Sequence, residues 1–262
     1  DRYASLDFRS GIAQLQEGSG MDAGMSESSI CDDAGNLLFY TDGLRIWDNQ
    51  HHELNLTYSP NENISSKGTI ILKFSSTKYV VFSTTENSGN LICRVITINN
   101  NSLSAGQLNT VYDAAYFGYK ISSLSAVPAM EEGNFWLLSA TMGDDVNPVV
   151  MKVSLSNDAI VIRNRQRFTN ISIQCEGNVH YVNSINVSPT SEYVVYCGAG
   201  GSNFLRFNAV TGELVARNCQ FDAEKKSDAA FSPSGRFLYM SSLASQYIDQ
   251  YDLTNVSECG CP

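Results

Sequence analysis

The residues able to do chemistry are few and scattered along the chain. Of the three histidines, His51 and His52 are adjacent and His180 stands alone. Neighbouring residues on a strand point to opposite faces, so His51 and His52 cannot chelate one ion, and both are expected in an exposed loop. His180, beside Tyr181, is placed to line a channel, although a lone histidine is first of all a structural residue. Carboxylates cluster at Asp32-Asp33, at Asp42 before Gly43, at Glu131-Glu132 and at Asp144-Asp145. A calcium loop of the helix-loop-helix kind needs them at alternating positions. None of these clusters has that spacing, so turn-forming, capping or solvated roles are expected. A glycosidase needs two carboxylates converging from different strands, and nothing points to such a pair.

The seven cysteines are Cys31, Cys93, Cys175, Cys197, Cys219, Cys259 and Cys261. None forms a C-x-x-C pair, and with three histidines a zinc site is not expected. Cys259 and Cys261 are too close in sequence to pair with each other. An odd count leaves at least one thiol without a partner in the chain, although several cysteines on a strand-rich chain suit an oxidising compartment. No serine or cysteine sits in a nucleophile elbow. The run Gly198-Ala199-Gly200-Gly201 falls in a hairpin loop instead of ahead of a helix, which makes it a poor phosphate cradle. Trp47 and Trp136 fall in apolar strands and are expected in the core. Asn-x-Ser/Thr triplets begin at Asn55, Asn63, Asn100, Asn170, Asn186 and Asn255, about as many as this Asn/Ser/Thr-rich composition yields by chance. The sequence therefore assigns no catalytic residue, no cofactor and no metal ligand set.

Charge narrows the partners. The 262 residues carry a formal charge of −10, with a pI near 4.7. A nucleic-acid binder needs a basic footprint, and anionic lipid surfaces attract the same sign. Neither partner is expected, and no stretch is apolar enough for membrane insertion as a spanning helix.

The elements that must position any site repeat. Five apolar runs stand out: LLFY, YVVF, FWLL, YVVY and FLYM. They start at residues 37, 79, 135, 193 and 237, between 42 and 58 residues apart. Each is preceded by a turn and followed by a small residue: Thr41, Ser83, Ser139, Cys197 and Ser241. A continuous apolar run between turns reads as a strand buried on both faces, since a half-exposed strand would alternate. Before each turn lies another short strand (28–32, 69–74, 123–129, 184–189 and 229–234). After each run comes an alternating one (44–49, 91–98, 149–155, 203–209 and 247–253). A fourth, more polar strand follows in four units, at 53–58, 107–113, 159–166 and 213–220. In two units, Ser-Pro turns precede the buried run, and Gly235 supplies the positive φ that its turn requires.

Four strands per unit, growing more polar from first to last, predict an all-β chain: a β-propeller of four-stranded antiparallel blades. Five repeats are visible across a single domain of residues 1–262. The segment LDFRSGIAQL at 6–15 parallels RFNAVTGELV at 206–215 and supplies the outer half of a blade. Two closures follow. The half-blade completes the last unit, giving five blades, or a further repeat lies beyond Pro262, giving six or seven.

With the repeats in place, CDDAGNLLFYTDGLRIWDN at 31–49 resembles the strand-turn-strand of propeller-like regions in large Bacteroidota surface proteins. Those proteins are exported by the type IX secretion system and carry gliding-motility-associated sorting domains. LDFRSG, INVSPTSEYVVY and AAFSPSGRFLYMSS with QYDLTN extend the resemblance along most of the chain. It implies a secreted or outer-surface, non-enzymatic module for adhesion or assembly. Its partner would be a protein or glycan, with secretion-system components as further partners, and the family brings no catalytic residues to transfer. The competing expectations are a lactonase-type or carbohydrate-active propeller enzyme with its site in the central channel, and a purely structural subunit of a surface assembly.

Overall fold

The computed structural model describes residues 4–7, 9–21, 26–57, 63–100, 102–173, 182–198, 201–220, 226–242 and 247–255. The fold is a β-propeller built from small antiparallel sheets whose strands follow one another in chain order. The chain forms two compact units, residues 1–113 and 114–262.

In the first unit, β1 (Ala4–Asp7) and β2 (Gln14–Glu17) form a hairpin. A three-stranded sheet follows: β3 (Ser28–Cys31), β4 (Leu37–Thr41) and β5 (Ile46–Asp48). The next sheet has four strands: β6 (Ile64–Lys73), β7 (Lys78–Thr85), β8 (Leu91–Asn99) and β9 (Ser102–Tyr112). The second unit opens with one helical turn, α1 (Ala114–Phe117). The first of its sheets is β10 (Lys120–Pro128), β11 (Asn134–Met142), β12 (Pro148–Ser156) and β13 (Ala159–Arg167). Next come β14 (Val182–Val187), β15 (Tyr193–Gly198), β16 (Gly201–Phe207) and β17 (Leu214–Gln220). The last sheet has three strands, β18 (Lys226–Phe231), β19 (Phe237–Ser242) and β20 (Ile248–Asp252).

Each apolar run lies in the second strand of its sheet, and β15 shows why such a run does not alternate. Val194 and Tyr196 face one neighbour, in a core with Trp136, Leu138 and Val150. Val195 and Cys197 face the other, against Ala229, Leu238 and Met240. Both faces of the strand are thus dry, and each large apolar side chain buried there contributes about 1.5–3 kcal/mol. In the first unit Phe39 and Ile46 pack on Tyr79, Val81 and Ile96 in the same way. The run in β19 departs from this. Leu238 and Met240 are buried, but Phe237 and Tyr239 are only half-buried, so one face of the last sheet is less covered. In the second unit the first strands lie side by side, β10 next to β14 and β14 next to β18. The fourth strand β13 is largely exposed.

The turns are built by side chains that capture backbone amides, the local reason the repeat recurs. Between first and second strands, Asp32 accepts from the amides of Ala34 and Asn36. Ser75 accepts from Thr77 and Lys78, Ser188 from Tyr193, and Ser232 from Phe237. Positive φ falls on Gly35, Gly133 and Gly235 in three of the five turns and on Ser191 in a fourth, while the turn at Ser75 has none. At the far end of the second strand, a threonine hydroxyl closes the next loop. Thr41 donates to Arg45 O and accepts from Gly43 N, and Thr141 donates to Asp145 O and accepts from Asn147 N.

Two expectations need correction. Over its described residues, 53–57, the fourth strand expected at 53–58 does not form. Residues 52–54 run beside β5 through two backbone bonds, from Asp48 N to His52 O and from Leu54 N to Ile46 O, and there the pairing stops. Arg94, 4 % exposed, instead ties the end of this segment to β9, donating to Thr57 O and Gly106 O at 2.8 Å each. The strand expected at 107–113 begins earlier, at Ser102. Among the described residues, no helix is long and apolar enough to cross a membrane.

Candidate functional site

An open cleft of about 1500 Å³ lies within the first unit. Its walls come from the β1–β2 hairpin, the β3–β4–β5 sheet, the turn after β5, and Ile98, Ser102 and Leu103.

The turn after β5 is set by Asp48. Its carboxylate accepts from Gln50 N at 2.8 Å and His52 N at 2.9 Å, and its carbonyl accepts from His51 N. Burial works against ionisation of Asp48, but these two amides and the His52 side chain together outweigh it and hold the carboxyl below its ordinary range. The turn places His51 at φ 67° and swings its ring back over β4. Its Nδ1 comes to 3.0 Å from the Tyr40 hydroxyl, with the two ring centroids 5.6 Å apart. Gly20 N donates to the Tyr40 oxygen at 2.9 Å. The Tyr40 hydroxyl is thus engaged from two sides, by the Gly20 amide and by the His51 ring. Tyr40 in turn stacks on Trp47, centroids 5.4 Å apart. Gly20 has to be glycine, because a Cβ there would lie 2.8 Å from Trp47 Cδ1.

At the hairpin side, Asp7 accepts from the guanidinium and the amide of Arg9. These bonds hold its carboxyl down at about 2, with the side-chain bond the largest cause. Asp32 is lowered too, first by the side chain of Asn36, which donates at 2.9 Å, then by backbone amides. Asp7, Asp32 and Asp48 are thus engaged by their own turns. Glu27 and Glu53 also line the cleft and are exposed.

The sequence placed both histidines in an exposed loop. His52 is exposed, whereas His51 is half-buried against Tyr40. The signal for this was Asp48 two and four residues before Gln50 and His52, the spacing of a carboxylate that caps its own turn. The other clusters stay apart. Asp42 accepts from the amides of Leu44 and Arg45, Asp144 and Asp145 are exposed in the β11–β12 loop, and Glu131 pairs with Lys152 at 2.9 Å. Trp47 and Trp136 are buried, 2 % and 1 % exposed, and the Trp136 indole donates to Ala209 O. Cys31 is an exposed thiol at the cleft, while Cys93 and Cys197 are buried thiols, and burial pushes Cys93 up to about 12. Gly198 pairs with Gly201 across a hairpin. Cys175, His180, Ala199, Gly200, Cys259 and Cys261 lie outside the described residues, and Cys219 lies in β17. Among the described residues, no three His, Cys, Asp or Glu side chains are grouped to hold a metal ion.

No family model and no curated protein matches the chain. Solved structures do. A candidate 6-phosphogluconolactonase from Bacteroides uniformis ATCC 8492 superposes with a TM-score of 0.60 at 13 % identity, over 99 % of this chain and 77 % of that one. A second candidate 6-phosphogluconolactonase, from Bacteroides fragilis NCTC 9343, gives 0.54 at 10 % identity, over 95 % and 72 %. The Dos1 propeller gives 0.55 at 13 % identity and covers 83 % of this chain, which spans only 53 % of the Dos1 structure. At these identities the likeness shows the propeller fold alone.

Proposed function

We propose that this propeller is a non-enzymatic binding module, secreted or displayed at the cell surface, that holds a segment of a protein or glycan in the cleft of its first unit. The observation that carries the reading is the state of the cleft's carboxylates. Asp7, Asp32 and Asp48 are held ionised by hydrogen bonds that build their own turns. A general acid needs the opposite, a carboxyl pushed up towards neutrality by burial or a like charge. What the cleft offers instead is acceptors, including the exposed Glu27 and Glu53, beside the Tyr40–His51 pair. This suits a partner rich in donors, such as sugar hydroxyls or lysine and arginine side chains. The test is binding of neutral oligosaccharides and of a lysine-rich peptide, measured by calorimetry on the whole chain and on Glu27→Ala/Glu53→Ala. The double variant should lose about tenfold in affinity or more. Unchanged affinity would remove the cleft from the proposal.

A second reading, a sugar-lactone hydrolase, draws its support from the names of the two Bacteroides structures. Hydrolysis of 6-phosphogluconolactone that disappears in His51→Gln would favour it over the first.

A further inference from the structure

The hairpin that walls the cleft is a sheet of two strands. Among the described residues, β1 and β2 pair with each other and with no further strand, and two strands alone are marginal in water. Leu6 and Leu15 stand opposite each other in the register, so they share one face, and they are 58 % and 64 % exposed. Asp7 and Gln14 form the next pair and point to the other face. Both Leu6 and Asp7 line the cleft. They are consecutive residues on opposite faces of β1, so the cleft runs along the free edge of that strand.

A free edge turns alternate N–H and C=O groups outward, a template for one more strand. A strand laid there sends its side chains alternately to the two faces of the hairpin. On one face they meet Leu6 and Leu15. On the other they meet the acidic lining of the cleft. Its carboxylates are Asp7, Glu27, Asp32, Asp48 and Glu53, and its one guanidinium, Arg9, is already bonded to Asp7. The two faces therefore select different residues, apolar on one and cationic on the other. A glycan can use the carboxylates as acceptors, but it brings no ladder of backbone groups to β1 and no apolar row to the leucines.

We propose that the partner held in the cleft is an extended peptide strand of alternating basic and apolar residues, paired along the edge of β1. The proposal rests on the cleft being the binding site, and it narrows the partner to a polypeptide segment. β1 is four residues long, which sets the length of the paired core. Main-chain hydrogen bonds supply affinity there, and the side chains supply specificity. The basic residues meet Glu27 and Glu53, both exposed in the cleft. The apolar residues cover Leu6 and Leu15, so the hairpin gains a third strand and loses its bare apolar face.

The probes are a short capped peptide of alternating lysine and valine, a peptide of the same composition with its lysines and valines in two blocks, and a neutral oligosaccharide. Each is titrated against the whole chain by calorimetry. The alternating peptide should bind at least about tenfold more tightly than the block peptide, and Glu27→Ala/Glu53→Ala should weaken it about tenfold. Leu15→Ser should weaken it about threefold. A strand added to one edge uses alternate N–H groups, so N-methylating the lysine amides and N-methylating the valine amides should act unequally, one costing about tenfold and the other less than about threefold. If Leu15→Ser does not fold, as judged by its thermal midpoint, the methylated peptides and Glu27→Ala/Glu53→Ala carry the test. Equal binding of the two peptides, equal effects of the two methylation patterns, or unchanged peptide affinity in Glu27→Ala/Glu53→Ala would each overturn the proposal. Oligosaccharide binding that Glu27→Ala/Glu53→Ala removes, with no peptide binding, would overturn it while keeping the cleft as a binding site. Absent binding of every probe would overturn both.

Discussion

Tyr196→Phe should make this protein more stable. Tyr196 is fully buried in β15, among Trp136, Leu138, Val150 and Leu205, and its hydroxyl has no hydrogen-bond partner among the described residues. An unsatisfied buried hydroxyl costs about 1–3 kcal/mol of desolvation. Removing the oxygen leaves a void of roughly 20 Å³, which at ~24 cal/mol per Å³ returns about 0.5 kcal/mol. The net expectation is a gain of about 0.5–2.5 kcal/mol, read in urea as a higher midpoint with an unchanged slope. A second arm uses pH. Burial pushes the ionisation of the Tyr196 phenol well above its ordinary value of 10.0. Above that value the unfolded chain releases a proton that the native chain keeps, so the wild type loses stability as pH rises, by up to about 1.4 kcal/mol per pH unit. The variant lacks this contribution, and its advantage over the wild type should widen above pH 10. A loss of more than about 1 kcal/mol at neutral pH would refute the reasoning, because it would mean that the hydroxyl has a partner such as a trapped water.

Other consequences are as direct. Ser191 holds φ 59° at the turn position that Gly35, Gly133 and Gly235 occupy in other repeats, so Ser191→Gly should gain about 0.5–1 kcal/mol in chemical unfolding. Gly235→Ala, with only Pro189 Cδ nearby at 3.8 Å, should lose about 1 kcal/mol from backbone strain alone. At Gly212, φ 76°, a Cβ would lie 2.5 Å from the Trp136 ring, so Gly212→Ala should cost about 3 kcal/mol or more and lower the thermal midpoint. Iodoacetamide at pH 8 should label Cys31 in the native protein, while Cys93 and Cys197 react only after denaturation, as read by peptide mapping. Burial raises Cys93 from 9.0 to about 12, so stability should fall with pH across that window, and Cys93→Ala should flatten the fall in alkaline unfolding curves.

The fold was legible because the repeat is written in residue types that have no local alternative. A run such as YVVY, dry on both faces, demands a sheet on either side, and β15 has them. The turns were legible for the same reason, since a serine or aspartate that caps its own turn acts within five residues. What escaped the sequence is what depends on distance. The fourth strand at 53–58 has the right alternation, yet Arg94, nearly 40 residues on, draws the carbonyl of Thr57 away towards β9. His51 reads as a loop residue until Tyr40 and Gly20 meet it from two other segments. Arg165 and Arg167 show the same limit from the other side. Total charge implied that no basic surface exists, and total charge averages over faces. Two arginines on one face of one strand, stacked on aromatics some 50 residues earlier, leave no mark on a net charge of −10. A register shift at Lys152 leaves Arg163 out of the ladder, with its Nε donating to Ser154 Oγ. The repeat thus sets the fold of this protein, while irregularities in it set where single side chains such as His51 and Arg163 point.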